Sequence, residues 1–215
     1  MKCLVPACWV VIILSGCTPK NQFTFVLEGK VKNARTLAPV SELELSLSQQ
    51  VLSSGTFNEN FNYLTGVSTD ASGNYVMEFP RENAVTYRLN TADAPYIART
   101  FSFDQDDFTI DEPNTFNFSV FPEAFVEVHL SNQLPSAPSD LFRFRFDQVN
   151  FDCQCCNGEW KQFAGAETDT TFGCRLYGET WLRYVTQYTS ETTDTLIADS
   201  VWCPAFQTAQ LFLAY

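Results

Sequence analysis

The sequence predicts an all-β protein built as two consecutive β-sandwich domains, and three observations carry that expectation. The chain is rich in residues that favour strands, with 20 Phe and an aromatic fraction of 15%. Apolar residues recur with a period of two, as in Leu43, Leu45 and Leu47 against Glu42, Glu44 and Ser46, a pattern that a helix would scatter around its circumference. Turn signals such as Ala-Pro, Ser-Gly-Asn and Asp-Glu-Pro return at the intervals that short antiparallel strands need.

Residues 1–16 read as an export leader. Lys2 gives a positive start, Leu4 to Leu14 is an apolar run broken only by Pro6, and the small residues Ser15 and Gly16 follow. As a helix that run would rise only about 16 Å, half of a ~30 Å hydrocarbon core, so it is too short to span a membrane. The junction Leu14-Ser15-Gly16-Cys17 resembles the lipobox of bacterial lipoproteins. The resemblance implies cleavage before Cys17 and a thioether from its sulfur to diacylglycerol. Buried acyl chains contribute about 0.8 kcal/mol per methylene, so two or three chains anchor stably. Residues 17–22 are then the lipidated cysteine and a polar, proline-marked tether. The expected partner is a membrane, reached through the lipid, in a bacterial cell envelope and at its outer membrane.

The first sandwich is expected over 23–122, with strands near 23–32, 40–50, 62–68, 74–80, 84–91, 95–103 and 115–121. The second is expected over 123–215, with strands near 124–131, 140–149, 159–163, 171–177, 180–189, 194–202 and 207–214. In the second, Val126, Val128 and Leu130 alternate with Phe125, Glu127 and His129, and Phe142, Phe144 and Phe146 alternate with Arg143 and Arg145. Each strand should therefore bury one face. If these two neighbours pair as a hairpin, Glu127 sits across from Arg143 or Arg145, a contact of about 0.2–1 kcal/mol.

The segments Gly29-Lys30-Val31, Pro39-Val40, Ser68-Thr69-Asp70-Ala71-Ser72-Gly73-Asn74-Tyr75, Tyr87-Arg88-Leu89 and Pro95-Tyr96-Ile97 are together similar to the carboxypeptidase regulatory-like domain. The resemblance covers roughly residues 23–103 and implies a transthyretin-like Greek-key sandwich that is a spacer or adhesive module without a peptidase centre. This chain departs from the family pattern with Pro95 where a glycine precedes the tyrosine, and with a long segment from Gln49 to Leu64. Within the central motif of Thr69, Asp70, Gly73 and Tyr75, the Asp70 carboxylate suits an Asx turn and Gly73 suits positive φ. Tyr75 opens the next strand pointing inward, which reads as a hairpin device. The second half resembles Cys-containing portions of bacterial lipoproteins to which no function attaches.

Charge and residue counts exclude several functions. Lys and Arg number 13 against 25 Asp and Glu, a net charge of -12, so polyanions such as DNA, RNA or acidic lipid are expected to be repelled. One histidine, His129, rules out any site needing two imidazoles and reads as a surface strand residue. The acidic run Asp104, Asp106, Asp107, Asp111 and Glu112 lacks calcium-loop spacing and reads as a solvated loop. No nucleophile elbow or phosphate-cradling glycine loop is present, so no residue is proposed as catalytic and no cofactor or metal is expected.

Five cysteines follow Cys17: Cys153, Cys155, Cys156, Cys174 and Cys203. In an exported domain they are disulfide candidates. The expectation is that two of the 153–156 cluster reach Cys174 and Cys203, leaving one thiol over. A thiolate zinc site lacks its usual paired spacings. Trp160, Trp181 and Trp202 are expected in the core, the common fate of tryptophan in a small sandwich.

The function expected from these features is a lipid-anchored, non-catalytic binding or structural module of the envelope. One rival is glycan capture or carbohydrate chemistry by carboxylates and tryptophans of the second domain. Another is an accessory subunit docking by strand addition to a larger envelope complex.

Overall fold

The computed structural model describes residues 23–53, 56–57, 60–132, 137, 139–147, 156–164 and 168–215. The leader, Cys17, the tether, Cys153 and Cys155 lie outside them. The described chain is all-β, with a single turn of 3-10 helix at Gln105–Asp107. No helix among the described residues is long and apolar enough to cross a membrane.

In the first half the strands are β1 (Thr24–Asn33), β2 (Glu44–Ser53), β3 (Thr56–Phe57), β4 (Asn62–Ser68), β5 (Asn74–Pro80), β6 (Ala84–Thr91), β7 (Thr100–Asp104), β8 (Asn114–Thr115) and β9 (Phe118–Val120). One sheet pairs β5 with β1, whose other edge takes β8 and then β9, both parallel to it. The second sheet runs β2-β6-β7, with β3 and β4 on the free edge of β2. The period-two pattern decides which face each strand buries: Phe25, Leu27 and Val31 of β1, and Tyr75, Met77 and Phe79 of β5, meet Leu45 and Leu47 of β2 and Tyr87 and Leu89 of β6. Phe25, Phe79, Tyr87 and Phe108 pack with ring centroids 5.2–6.2 Å apart, mostly tilted or edge-on, as their quadrupoles prefer.

Three local expectations change here. The turn after β4 is not a hairpin: β4 pairs with β2 and β5 with β1, so it carries the chain from one sheet to the other. The strand expected over 95–103 forms only from Thr100, because Pro95 has no N–H to give a ladder and Ile97 donates instead to the Phe121 carbonyl. The single strand expected over 115–121 is split at Phe116, whose N–H donates to Glu28 while its carbonyl accepts the Tyr75 hydroxyl.

In the second half the strands are β10 (Glu123–Ser131), β11 (Leu141–Phe146), β12 (Lys161–Ala164), β13 (Asp169–Tyr177), β14 (Thr180–Thr189), β15 (Asp194–Cys203) and β16 (Thr208–Ala214). They form two sheets, β13-β10-β16 and β12-β11-β14-β15. Ala124, Val126, Val128 and Leu130 of the first face Phe142, Phe144, Phe146 and Leu182 of the second across one core. The expected β10–β11 hairpin is therefore replaced by opposition: the two alternating strands bury their apolar faces against each other from different sheets. Glu127 accepts from Gln210 at 3.0 Å and lies 3.3 Å from His129, while Arg145 pairs with Asp147 at 3.2 Å.

Buried residues fall into two clusters, one from Phe25 to Val120 and one from Ala124 to Leu211. Arg175 of β13 links them. Its guanidinium reaches Asp93 at 2.6 Å and Glu123 at 2.7 Å, and donates to the Tyr96 carbonyl at 3.4 Å. Phe121 stacks on Tyr177 and Tyr96 meets Phe206 edge-on. Replacing Arg175 by methionine strands the Glu123 carboxylate, and we expect a loss of about 1.5 kcal/mol at neutral pH, a value lowered for the water that reaches the site. The hydrogen bond from Arg175 holds the Asp93 carboxyl below its ordinary 3.8. A lowered folded pKa stabilises above the unfolded value and is lost as pH falls through the folded one, so the difference between wild type and Arg175→Met should narrow below about pH 4. Urea unfolding at pH 7 and pH 3 checks this; an unchanged difference would contradict it.

Candidate binding surface

The sheet β12-β11-β14-β15 has one face in the core; its other face is exposed at Trp181 and Arg183 and covered at its middle, where Val185 is buried. Antiparallel register puts directly paired residues on the same face, and Trp181 pairs with Trp202, Arg183 with Ser200, Val185 with Ala198 and Arg145, and Gln187 with Leu196 and Arg143. The inward set is Phe142, Phe144, Phe146, Leu182 and Tyr184. The outward set thus gathers two tryptophans and three arginines on one surface roughly 20 Å long, at ~3.3 Å per residue from Trp181 to Gln187.

The expectation that the tryptophans are buried is overturned: Trp181 is 59% exposed, Trp202 41% and Trp160 39%. The reason lies in strand phase, because Trp181 shares parity with Arg183 and Trp202 with Ser200, so the apolar positions between them take the core. The rings of Trp181 and Trp202 lie 5.5 Å apart, tilted by 56°. Trp160, just ahead of β12, receives the Arg145 guanidinium 5.0 Å above its ring. Asp147 accepts from Arg145 at 3.2 Å with one oxygen and faces Arg183 at 3.6 Å with the other. Asp194, a second carboxylate of this face among the described residues, accepts from Gln187 and Thr189 at its far end. Asp147 bonds beside Arg183 and Asp194 pairs with Thr189, six residues on, so the two stand about 20 Å apart. Paired carboxylates for glycoside hydrolysis lie about 5–9.5 Å apart, so this pair does not fit that chemistry.

Of the other residues singled out in the sequence, Cys156 and Cys174 form a disulfide, with Cα atoms 5.2 Å apart. Cys203 does not take the second bridge: it is a free thiol, fully buried, and burial pushes it up to about 11. The core of the second sandwich encloses it, so no second sulfur reaches it among the described residues. At the first-half turn, Asp70 accepts from the N–H groups of Ser72 and Asn74, both at 2.8 Å. The Asn74 amide bonds, ahead of that from Ser72, hold its carboxyl below the ordinary range. Gly73 has φ +77°, and a Cβ there would meet the Val31 carbonyl at 2.5 Å. Thr69 is buried, donating to the Val40 carbonyl at 2.7 Å and accepting from Leu43, and Tyr75 donates to Phe116 at 2.8 Å. These residues build a structural turn and contact none of the tryptophans. His129 bonds Gln210 and Thr171 and stacks on Phe212, at the surface of β10. Among the described residues no group of three or more His, Cys, Asp or Glu could hold a metal ion.

A separate apolar cleft of about 370 Å³ opens between the edges of β15 and β16, lined by Phe142, Tyr184, Tyr188, Ile197, Leu213 and Tyr215. It lies on the core side of β14, away from the tryptophans.

No protein-family model matches the chain, that of the carboxypeptidase regulatory-like domain included, and no curated protein matches it either. Among solved structures, the shaft pilin SpaA of Lactobacillus rhamnosus GG is 10% identical, with 90% of this chain and 97% of the pilin covered at a TM-score of 0.36. The Bacillus anthracis TIE protein is 12% identical, with a TM-score of 0.36 over 89% of this chain. This chain spans 34% of that protein's length. A 3-chlorocatechol 1,2-dioxygenase of Rhodococcus opacus is 11% identical, covering 47% of this chain and 61% of its own at a TM-score of 0.34. These likenesses do not extend past strand-built architecture.

Proposed function

We propose that this is a non-catalytic envelope module that captures a glycan on the outer face of its second sandwich. Residues 1–16 direct export, Cys17 carries the lipid anchor and 23–122, transthyretin-like in its motifs, is the spacer that holds the capturing half away from the bilayer. The observation that carries the reading is the exposed, paired rings of Trp181 and Trp202. Aromatic faces are electron-rich and the axial C–H groups of a sugar ring are weakly positive, so rings stack on tryptophan while their hydroxyls stay in water. Two tryptophans left in solvent on a sheet with a filled core serve packing poorly and serve such stacking well.

Electrophoresis of the full chain through gels containing soluble polysaccharides tests capture. Wild type should be retarded, and Trp181→Ala or Trp202→Ala should weaken binding by about tenfold, the effect of ~1.4 kcal/mol at a central aromatic contact. Wild-type mobility unchanged by every polysaccharide would contradict the reading. For the anchor, Cys17→Ser should move the protein from the membrane pellet to the soluble fraction, and a variant that pellets as wild type does would contradict lipidation.

A further inference from the structure

We infer that the glycan held by this face is acidic, carrying uronate carboxylates or sulfate esters; the inference rests on the reading of Trp181 and Trp202 as a sugar platform. The whole chain carries -12, yet after residue 122 its basic side chains are only Arg143, Arg145, Lys161, Arg175 and Arg183. Three of these five stand on the one face that also holds the exposed tryptophans. Arg175 is committed to joining the two halves.

The three guanidiniums are arranged as a track. Arg183 follows Trp181 on the same face, two residues or roughly 6–7 Å along the strand, which is the reach from a stacked ring to a charged substituent on it or its neighbour. Arg145 and Arg143 continue the line on β11, opposite Val185 and Gln187. Asp147 holds Arg145 and Arg183 from one side, which fixes their orientation before a ligand arrives. Asp194 is spent on Gln187 and Thr189 at the end of the face. The planar fork of arginine matches carboxylate and sulfate oxygens in pairs, a geometry a neutral sugar does not use.

The overall acidity of the chain does not oppose this. At physiological salt, charges farther than about 8 Å are screened, so a ligand lying on the face meets these three arginines, with Asp147 beside two of them, rather than the net charge of the chain. Nucleic acid places a phosphate charge every ~1.7 Å of duplex and needs a wider basic surface than three arginines provide. An acidic polysaccharide carries its charges one or two sugars apart, a spacing that three guanidiniums along roughly 13 Å, four residues of strand, can match.

The test uses the full chain in affinity gels with three probes: polygalacturonate, dextran sulfate and neutral hydroxyethyl cellulose. We expect an acidic probe to bind at least tenfold more tightly than the neutral one, with affinity falling as salt rises. Arg183→Gln alone should lose about threefold, and Arg143→Gln, Arg145→Gln and Arg183→Gln combined at least tenfold, on the acidic probe only. Because Arg183 is well exposed, its single variant reports even if the triple variant misfolds. Equal binding of neutral and acidic probes, or arginine variants that bind as wild type, overturns the acidic assignment and leaves the platform standing. Trp181→Ala with Trp202→Ala binding every probe as wild type overturns the platform itself. Binding to phosphatidylglycerol vesicles with neither acidic polysaccharide bound overturns the inference in favour of a lipid surface.

Discussion

Replacing Gly29 by alanine is expected to destabilise the first sandwich by about 3 kcal/mol or more, at the upper end of what overpacking costs. The added Cβ would overlap the Phe116 carbonyl, whose carbon would lie 2.7 Å away, and would come within 3.0 Å of the Tyr75 ring. None of these neighbours can move cheaply. Phe116 donates to Glu28 at 2.7 Å and accepts from Tyr75 at 2.8 Å, and it stands between β8 and β9, both paired to β1. Relief requires lifting that edge off β1 and exposing Phe118 and Val120 of the core. Scanning calorimetry should show a lowered first transition, with the second sandwich unmoved. A change below about 1 kcal/mol would mean that the 116 segment yields more freely than its bonds imply.

Loss of the Cys156–Cys174 disulfide should cost the second sandwich about 3 kcal/mol. The two residues are 18 apart, and closing a loop of that size removes roughly that much from the unfolded state. The bridge also ties β13, in one sheet, to the segment that enters β12, in the other, and the Cys156 N–H donates to the Arg175 carbonyl beside it. Three of the four tryptophans, Trp160, Trp181 and Trp202, lie in the second half, so fluorescence during urea unfolding reports chiefly on it. The midpoint should fall on substituting both cysteines by alanine. A midpoint within error of wild type would remove the bridge from the account of stability.

Strand positions were legible from the sequence because alternation is a local property: residues 62–68, 74–80, 84–91 and 180–189 are strands at the bounds expected. Pairing was not legible. Alternation says which side of β10 and β11 is apolar, and that demand is met equally by a hairpin or by two strands facing each other across a core. The same ambiguity hid the sheet-to-sheet passage after β4, where Asp70 and Gly73 form the turn their chemistry suits but join different sheets. Tryptophan exposure carried a signal that composition masked: Trp181 alternates in step with Arg183, and Leu182 and Tyr184 occupy the opposite phase. Reading phase before residue type would have placed the candidate surface. Cysteine connectivity had no such signal, since spacing alone does not tell that the core closes over Cys203.

The most direct measurement of capture by the second sandwich is intrinsic fluorescence of the full chain titrated with a soluble polysaccharide that retards it. Stacking on Trp181 and Trp202 predicts a saturable change in emission that persists in Trp160→Phe and vanishes in the Trp181→Phe, Trp202→Phe double variant. A change that survives in the double variant, or no saturable change with any polysaccharide, would contradict it.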